Sequence, residues 1–135
     1  MITIKELKGR PTKVPDEHLT NLYMLMAKLN KLREAYGKPL RVTSGYRTLE
    51  HHLEIYRLNG ITDHSKIPMK SNHLVGLAAD LSTIDDPIEH LHDWINQNIK
   101  LMEEIGIWME AFEYTPMWAH CQAVPPRSGK RFCKP

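Results

Sequence analysis

His73 and Asp80 lie seven residues apart in Ser71-Asn72-His73-Leu74-Val75-Gly76-Leu77-Ala78-Ala79-Asp80, and only small or apolar residues separate them. An imidazole nitrogen and a carboxylate oxygen both suit Zn²⁺, and Gly76 frees the chain to turn sharply between the two donors. His120, in Trp118-Ala119-His120, is the candidate third ligand. Two imidazoles and one carboxylate would leave the fourth tetrahedral position to water, which distinguishes a catalytic site from a closed structural one. The expected chemistry is hydrolysis. Asp80 stands inside the apolar run Leu77 to Leu81, where a carboxylate is costly unless it is paired, hydrogen-bonded or metal-bound. His73 upstream tips that choice toward the metal.

The pattern Ser-x-His-x-x-Gly-x-Ala-x-Asp, carried by Ser71, His73, Gly76, Ala78 and Asp80, resembles the signature of the M15 peptidases. These are zinc D-Ala-D-Ala carboxypeptidases and related cell-wall endopeptidases. The resemblance extends upstream to Ser44-Gly45-Tyr46-Arg47-Thr48 and downstream to Trp118-Ala119-His120, so it runs from about Arg41 to Gln122. The small size and the Trp-x-His-x-Gln ending are most similar to phage-encoded members. The resemblance implies the hedgehog/DD-peptidase fold, zinc held by His73, Asp80 and His120, and peptidoglycan peptides as substrate. It also implies that Arg47 grips a substrate carboxylate as a two-pronged fork, with Ser71 near the substrate and Trp118 walling the cleft.

One position departs from the family. Many members carry Glu or Asp three residues before the last zinc histidine as general base, and here Met117 stands there. Methionine moves no proton, so either another acid serves or catalysis is lost. A hairpin with a four-residue loop from Tyr114 to Met117 would set Glu113 opposite Trp118 and Ala111 opposite His120, putting Glu113 and His120 on one face. Glu113 is therefore the expected base, and a slip of one residue would exchange it for Glu110. The leading function is a zinc peptidase cutting peptide stems or cross-bridges of peptidoglycan, as phage endolysins do. The alternative is an inactive zinc-binding structural or interaction domain, such as a virion component.

Length and composition agree with one domain. A chain of 135 residues can bury about two-thirds of its unfolded surface without disulfide staples. The net charge of +2 and the lack of a block of like charges argue against nucleic acid as a main partner. Arg127, Lys130, Arg131 and Lys134 read as a solvated tail. Cys121 and Cys133 are too few for a disulfide framework, so reduced thiols are expected, with one bridge left open. No apolar run has the length of a signal peptide or a membrane span, so the chain is expected to be made in the cytoplasm and to act at the wall if phage-derived. Oligomeric state is not encoded in any visible pattern.

The elements that must position these residues form an α+β pattern: a small, mainly antiparallel sheet with two or three helices on one face. Met1 to Val14 reads as an extended segment and a loop. A helix starts at Pro15-Asp16, carries Leu19, Leu22, Met26, Leu29 and Leu32, with Tyr23 and Met24 beside this core stripe, and stops at Gly37 and Pro39. Leu40 to Thr43 reads as a strand that leaves Tyr46 and Arg47 at its end. Thr48 caps a second helix that ends at Asn59-Gly60, and its adjacent His51 and His52 point about 100° apart, so they read as surface or packed residues. Ile61 to Lys70 is a loop, and Gly76 to Ser82 a strand. Asp86-Pro87 opens a helix to about Asn98 with His90 and His92 on its exposed side, followed by a turn ending at Gly106. Ile107–Glu113 and Trp118–Val124 are the hairpin arms, and the tail is irregular.

Overall fold

Among residues 1–11 and 13–135, which the computed structural model describes, five α-helices and a five-stranded sheet make an α+β arrangement. The strands are β1 (Leu40–Ser44), β2 (Ala78–Thr83), β3 (Trp108–Glu110), β4 (Ala119–Gln122) and β5 (Phe132–Cys133). Their order across the sheet is β1-β2-β4-β3-β5, antiparallel except where β5 runs parallel to β3. None of the described helices is long and apolar enough to cross a membrane.

The longest helix, α2 (Asp16–Tyr36), begins and ends where expected, with Gly37 in the left-handed conformation that only glycine adopts freely. Leu22, Leu25, Leu29 and Leu32 form its buried stripe. Leu19 and Met26 are only half-buried, and Tyr23 and Met24 are exposed, so the core face is rotated from the expected one toward Leu25. Each buried leucine contributes roughly 1.5–3 kcal/mol relative to an exposed one. The helix α3 (Leu49–Leu58) starts on Thr48, whose side chain accepts from the His51 amide. After α4 (Ile88–Gln97), α5 (Ile99–Ile105) closes on Gly106.

Three expectations also fail at the chain ends and in α4. Residues Ile4–Lys8 form a helix, α1, rather than an extended segment. Thr3 and Glu6 cap each other's backbone amides there, a Thr-x-x-Glu box that stabilises even so short a helix. The tail is not wholly irregular, because Phe132 and Cys133 pair with Met109 and Glu110. His92 is buried rather than exposed: its ring stacks on Phe112 at 4.0 Å and its Nε2 donates to the Trp118 carbonyl at 2.9 Å. His90 is exposed as expected.

Strand alternation divides the sheet into two faces. Ala79, Leu81, Ala119, Cys121 and Met109 join the helices in the apolar core. Asp80, His120, Gln122 and Glu110, the intervening residues, take the other face. In β1 the pairing runs Val42 to Leu81 and then Ser44 to Asp80, so Thr43 is an extra residue in a bulge. Bulges bend a strand and re-aim the residues beyond them. Here the bulge sets Ser44 against Asp80 and leads the chain toward Arg47.

Candidate metal centre and cleft

Each expected ligand arrives by a different local device. Ser71 accepts from the His73 amide and starts a 3₁₀ turn, Asn72–Val75, that ends on Gly76. Gly76 has φ 80°, and a Cβ there would lie 2.7 Å from the His18 carbonyl oxygen, so both conformation and space require glycine. This turn swings His73 over the sheet. Asp80 and His120 are direct cross-strand partners in the β2–β4 ladder. One ligand atom from each of His73, Asp80 and His120 lies within 4.8 Å of the others, and all three residues are buried.

Hydrogen bonds orient the donors. Nδ1 of His73 lies 2.8 Å from the Gly45 carbonyl, which can only accept, so Nδ1 carries a proton and Nε2 faces Asp80 at 3.5 Å. Nε2 of His120 donates to Gln122 Oε1 at 2.9 Å, and the Gln122 amide nitrogen is fixed in turn by the Val124 carbonyl. Nδ1 of His120 therefore faces Asp80 Oδ1, at 3.0 Å. Outer partners of this kind fix the tautomer of metal-binding histidines. Burial pushes the Asp80 pKa up, but in the metal-free site His120 and His73, when protonated, donate to Asp80 and hold the carboxyl well below the usual carboxylate range. Burial lowers the His120 pKa, yet Asp80 and the charge of Glu110 drive it upward overall. Once the rings are neutral, the proton each keeps is on its outer nitrogen, so an ionised carboxylate stands between two inward lone pairs, a donor set that fits a divalent ion of zinc type.

The register of the second strand pair differs from the expected one by one residue. Trp108 pairs with Gln122 and Met109 with Cys121, so continuing the ladder brings Glu110, not Ala111, against His120. Glu110 Oε1 lies 3.2 Å from His120 Nδ1. Glu113 instead sits exposed in the turns that join β3 to β4 and is not among the residues that line the cleft. The four-residue hairpin fails because the connection spans 111–118, tied by Tyr114 to Ala111 and Thr115 to Phe112 backbone bonds. Met117, at the usual base position, is 69 % exposed.

A cleft of about 440 Å³ opens over these groups, lined by Arg47, Ser71, His73, Asp80, Glu110, Trp118 and His120 among others. Arg47 Nε donates to Ser44 Oγ at 3.0 Å and Nη2 lies 3.7 Å from Asp80 Oδ2. A larger depression of about 500 Å³ lies on the far side of Arg47, between α1 and β1, and does not reach the ligands. Sequence reasoning overlooked Gln122, Ser44 and the Gly45 carbonyl as supports of the centre. Two-residue alternation from His120 could have flagged Gln122, whereas the Gly45 carbonyl leaves no side-chain signal at all. Cys121 and Cys133 are free and buried, and burial pushes the Cys121 thiol up to about 12.

The family model described as Peptidase M15 matches residues 2–114. That stretch holds His73, Asp80 and Glu110 and stops short of His120, which the sheet brings to the centre. A solved structure of VanYB in complex with D-alanine-D-alanine shares the fold, with a TM-score of 0.53 and 22% identity over 83% of this chain and 77% of that one. No curated protein matches the chain.

Proposed function

The chain belongs to the Peptidase M15 family, and from that premise we propose that it is a zinc-dependent peptidase hydrolysing peptide bonds of bacterial peptidoglycan. The observation that carries this is the convergence of His73 Nε2, Asp80 Oδ1 and His120 Nδ1, the two imidazoles each oriented by its own partner, with the Glu110 carboxylate beside them. VanYB, similar in fold, is seen with D-alanine-D-alanine, which supports a cell-wall peptide as the substrate class here.

When bound, zinc supplies Lewis acidity, lowering the pKa of a water to about 7 and polarising the scissile carbonyl. Glu110 is the base in this scheme. Its carboxylate stands outside the mutually close ligand set but within hydrogen-bond reach of it, so it can take the proton of the attacking water and return it to the leaving amine. Arg47 binds the substrate. Of the five N–H bonds of a guanidinium, one faces Ser44, one Asp80 and one His52, which leaves two for a substrate carboxylate. Trp118 walls the cleft, and Ser71 supports the turn that carries His73. The alternative of an inactive metal-holding module rested on Met117, and Glu110 supplies the carboxylate that Met117 lacks.

The test is a digest of defined muropeptides by the zinc-loaded protein, followed by mass spectrometry. Cleavage that stops with a chelator and returns with Zn²⁺ is expected, and the masses read whether a terminal D-alanine or a cross-bridge is released. Intact muropeptides after incubation with fully loaded protein would overturn the proposal.

A further inference from the structure

His52 is completely buried, although nothing in the proposed chemistry uses it. Burial of an imidazole is costly unless its nitrogens find partners. Nε2 lies 2.9 Å from the Pro68 carbonyl, and because a carbonyl only accepts, that nitrogen carries the proton. In the neutral ring Nδ1 is then a lone pair. It faces Arg47 Nη1 at 3.5 Å, a long hydrogen bond from a charged donor. The ring also packs against Tyr56, a cleft residue, with centroids 5.1 Å apart.

We propose that His52 is a positioning residue, whose Nδ1 lone pair fixes the rotation of the Arg47 guanidinium so that its two uncommitted N–H bonds face the cleft. Ser44 holds the Nε edge of the same group, so two polar partners on different elements set the plane of the fork. A planar fork recognises a carboxylate only in the right orientation, so a loose guanidinium loses binding even though its charge remains. Burial lowers the ring's pKa, the Pro68 carbonyl raises it and the Arg47 charge lowers it, with the net direction downward, in keeping with a neutral ring. Adjacent His51 shares none of this, since it is exposed. The substrate part of the inference rests on the proposed role of Arg47.

Two variants separate this role from simple packing. In His52→Asn the amide replaces the Nδ1 edge and can still accept from Arg47, while the bond to Pro68 is lost. In His52→Gln the amide reaches the Nε2 edge and can still donate to Pro68, while the acceptor for Arg47 is lost. With zinc-loaded full chain and a cleaved peptide bearing a free terminal carboxylate, His52→Gln should raise KM about tenfold with kcat within about twofold. His52→Asn should recover most of that loss, and His52→Gln should add nothing in an Arg47→Lys background. Equal defects in both variants, or none in His52→Gln, would overturn the proposal. Nitrogen-resolved NMR of the Arg47 guanidinium decides the contact without any turnover: distinct terminal N–H signals are expected in wild type and His52→Asn, and averaged ones in His52→Gln. Identical spectra in all three would overturn it, whereas failure of the wild type to cleave any peptide would count against the proposed function alone.

Discussion

The β2–β4 pair and the β3–β4 pair meet at His120 but are specified in different ways. On the β2 side, Asp80 faces His120 directly, and the residues flanking them, Ala79, Leu81, Ala119 and Cys121, are apolar and packed under the helices. A slip of one residue there would turn Asp80 and His120 into the apolar core, which is prohibitively costly. On the β3 side the strand has only three residues, two of them partly accessible, and a loop of eight residues joins it to β4. Register there is set by distant partners, namely β5 and the buried His92 under the loop. The comparison teaches that a candidate metal centre can be rigidly coded on one side of a residue such as His120 and only contextually coded on the other.

The strongest way to break the comparison is at the candidate ligands, one in the rigid pair and one in the turn before it. His73→Ala and His120→Ala each remove a donor from a three-donor set, so zinc content measured by mass spectrometry should fall from one per chain to below about a tenth, with loss of activity. Full occupancy in both variants would mean that the metal sits elsewhere. On the contextual side, Glu110→Gln keeps size and removes proton transfer. It should retain zinc and lower turnover by a factor on the order of 100 to 10,000, while Glu113→Gln stays within about twofold. The reverse result would restore the hairpin register that the sequence alone suggests.

A smaller effect is expected where β4 steadies its own ligand. Gln122→Leu removes the acceptor that holds His120 Nε2, and second-layer losses of this kind lower metal affinity by about 10- to 100-fold. Competition with a chelating dye measures it. An unchanged affinity would show that the β2–β4 ladder alone fixes the ring.

How much of this is legible in the sequence depends on how local each signal is. His73, Gly76 and Asp80 sit within one decapeptide, and α2 and α3 carry their caps and apolar stripes in sequence, so all of these can be read directly. The box of Thr3 and Glu6 is equally local, but Gly9 and Pro11 close behind it are loop signals that mask so short a helix. β5 has only two residues and pairs in parallel with a strand more than twenty residues earlier, so no local pattern reveals it. His92 stands four residues after Ile88, on the apolar face by helical period, and only its polarity suggests solvent; its partner Phe112 belongs to a loop whose path is not written in the helix. The Glu110 register escapes for the same reason: eight loop residues do not announce which strand pairing they permit.

The smallest effect predicted is also the sharpest test of that loop. Many family members place the acid three residues before the last histidine, and restoring it here means Met117→Glu. In this chain residue 117 is 69 % exposed, lies in the turns after Thr115 and is not among the cleft residues. A glutamate side chain at so exposed a position is solvated, so burial cannot tune it. Met117→Glu alone should therefore change kcat/KM by less than about twofold, as surface substitutions away from a site generally do. Combined with Glu110→Gln, it should leave turnover within about twofold of the single Glu110→Gln variant. Recovery of activity in the double variant would show that the 111–118 connection can bring position 117 over the centre, and that the two strand pairs differ less in rigidity than their lengths suggest.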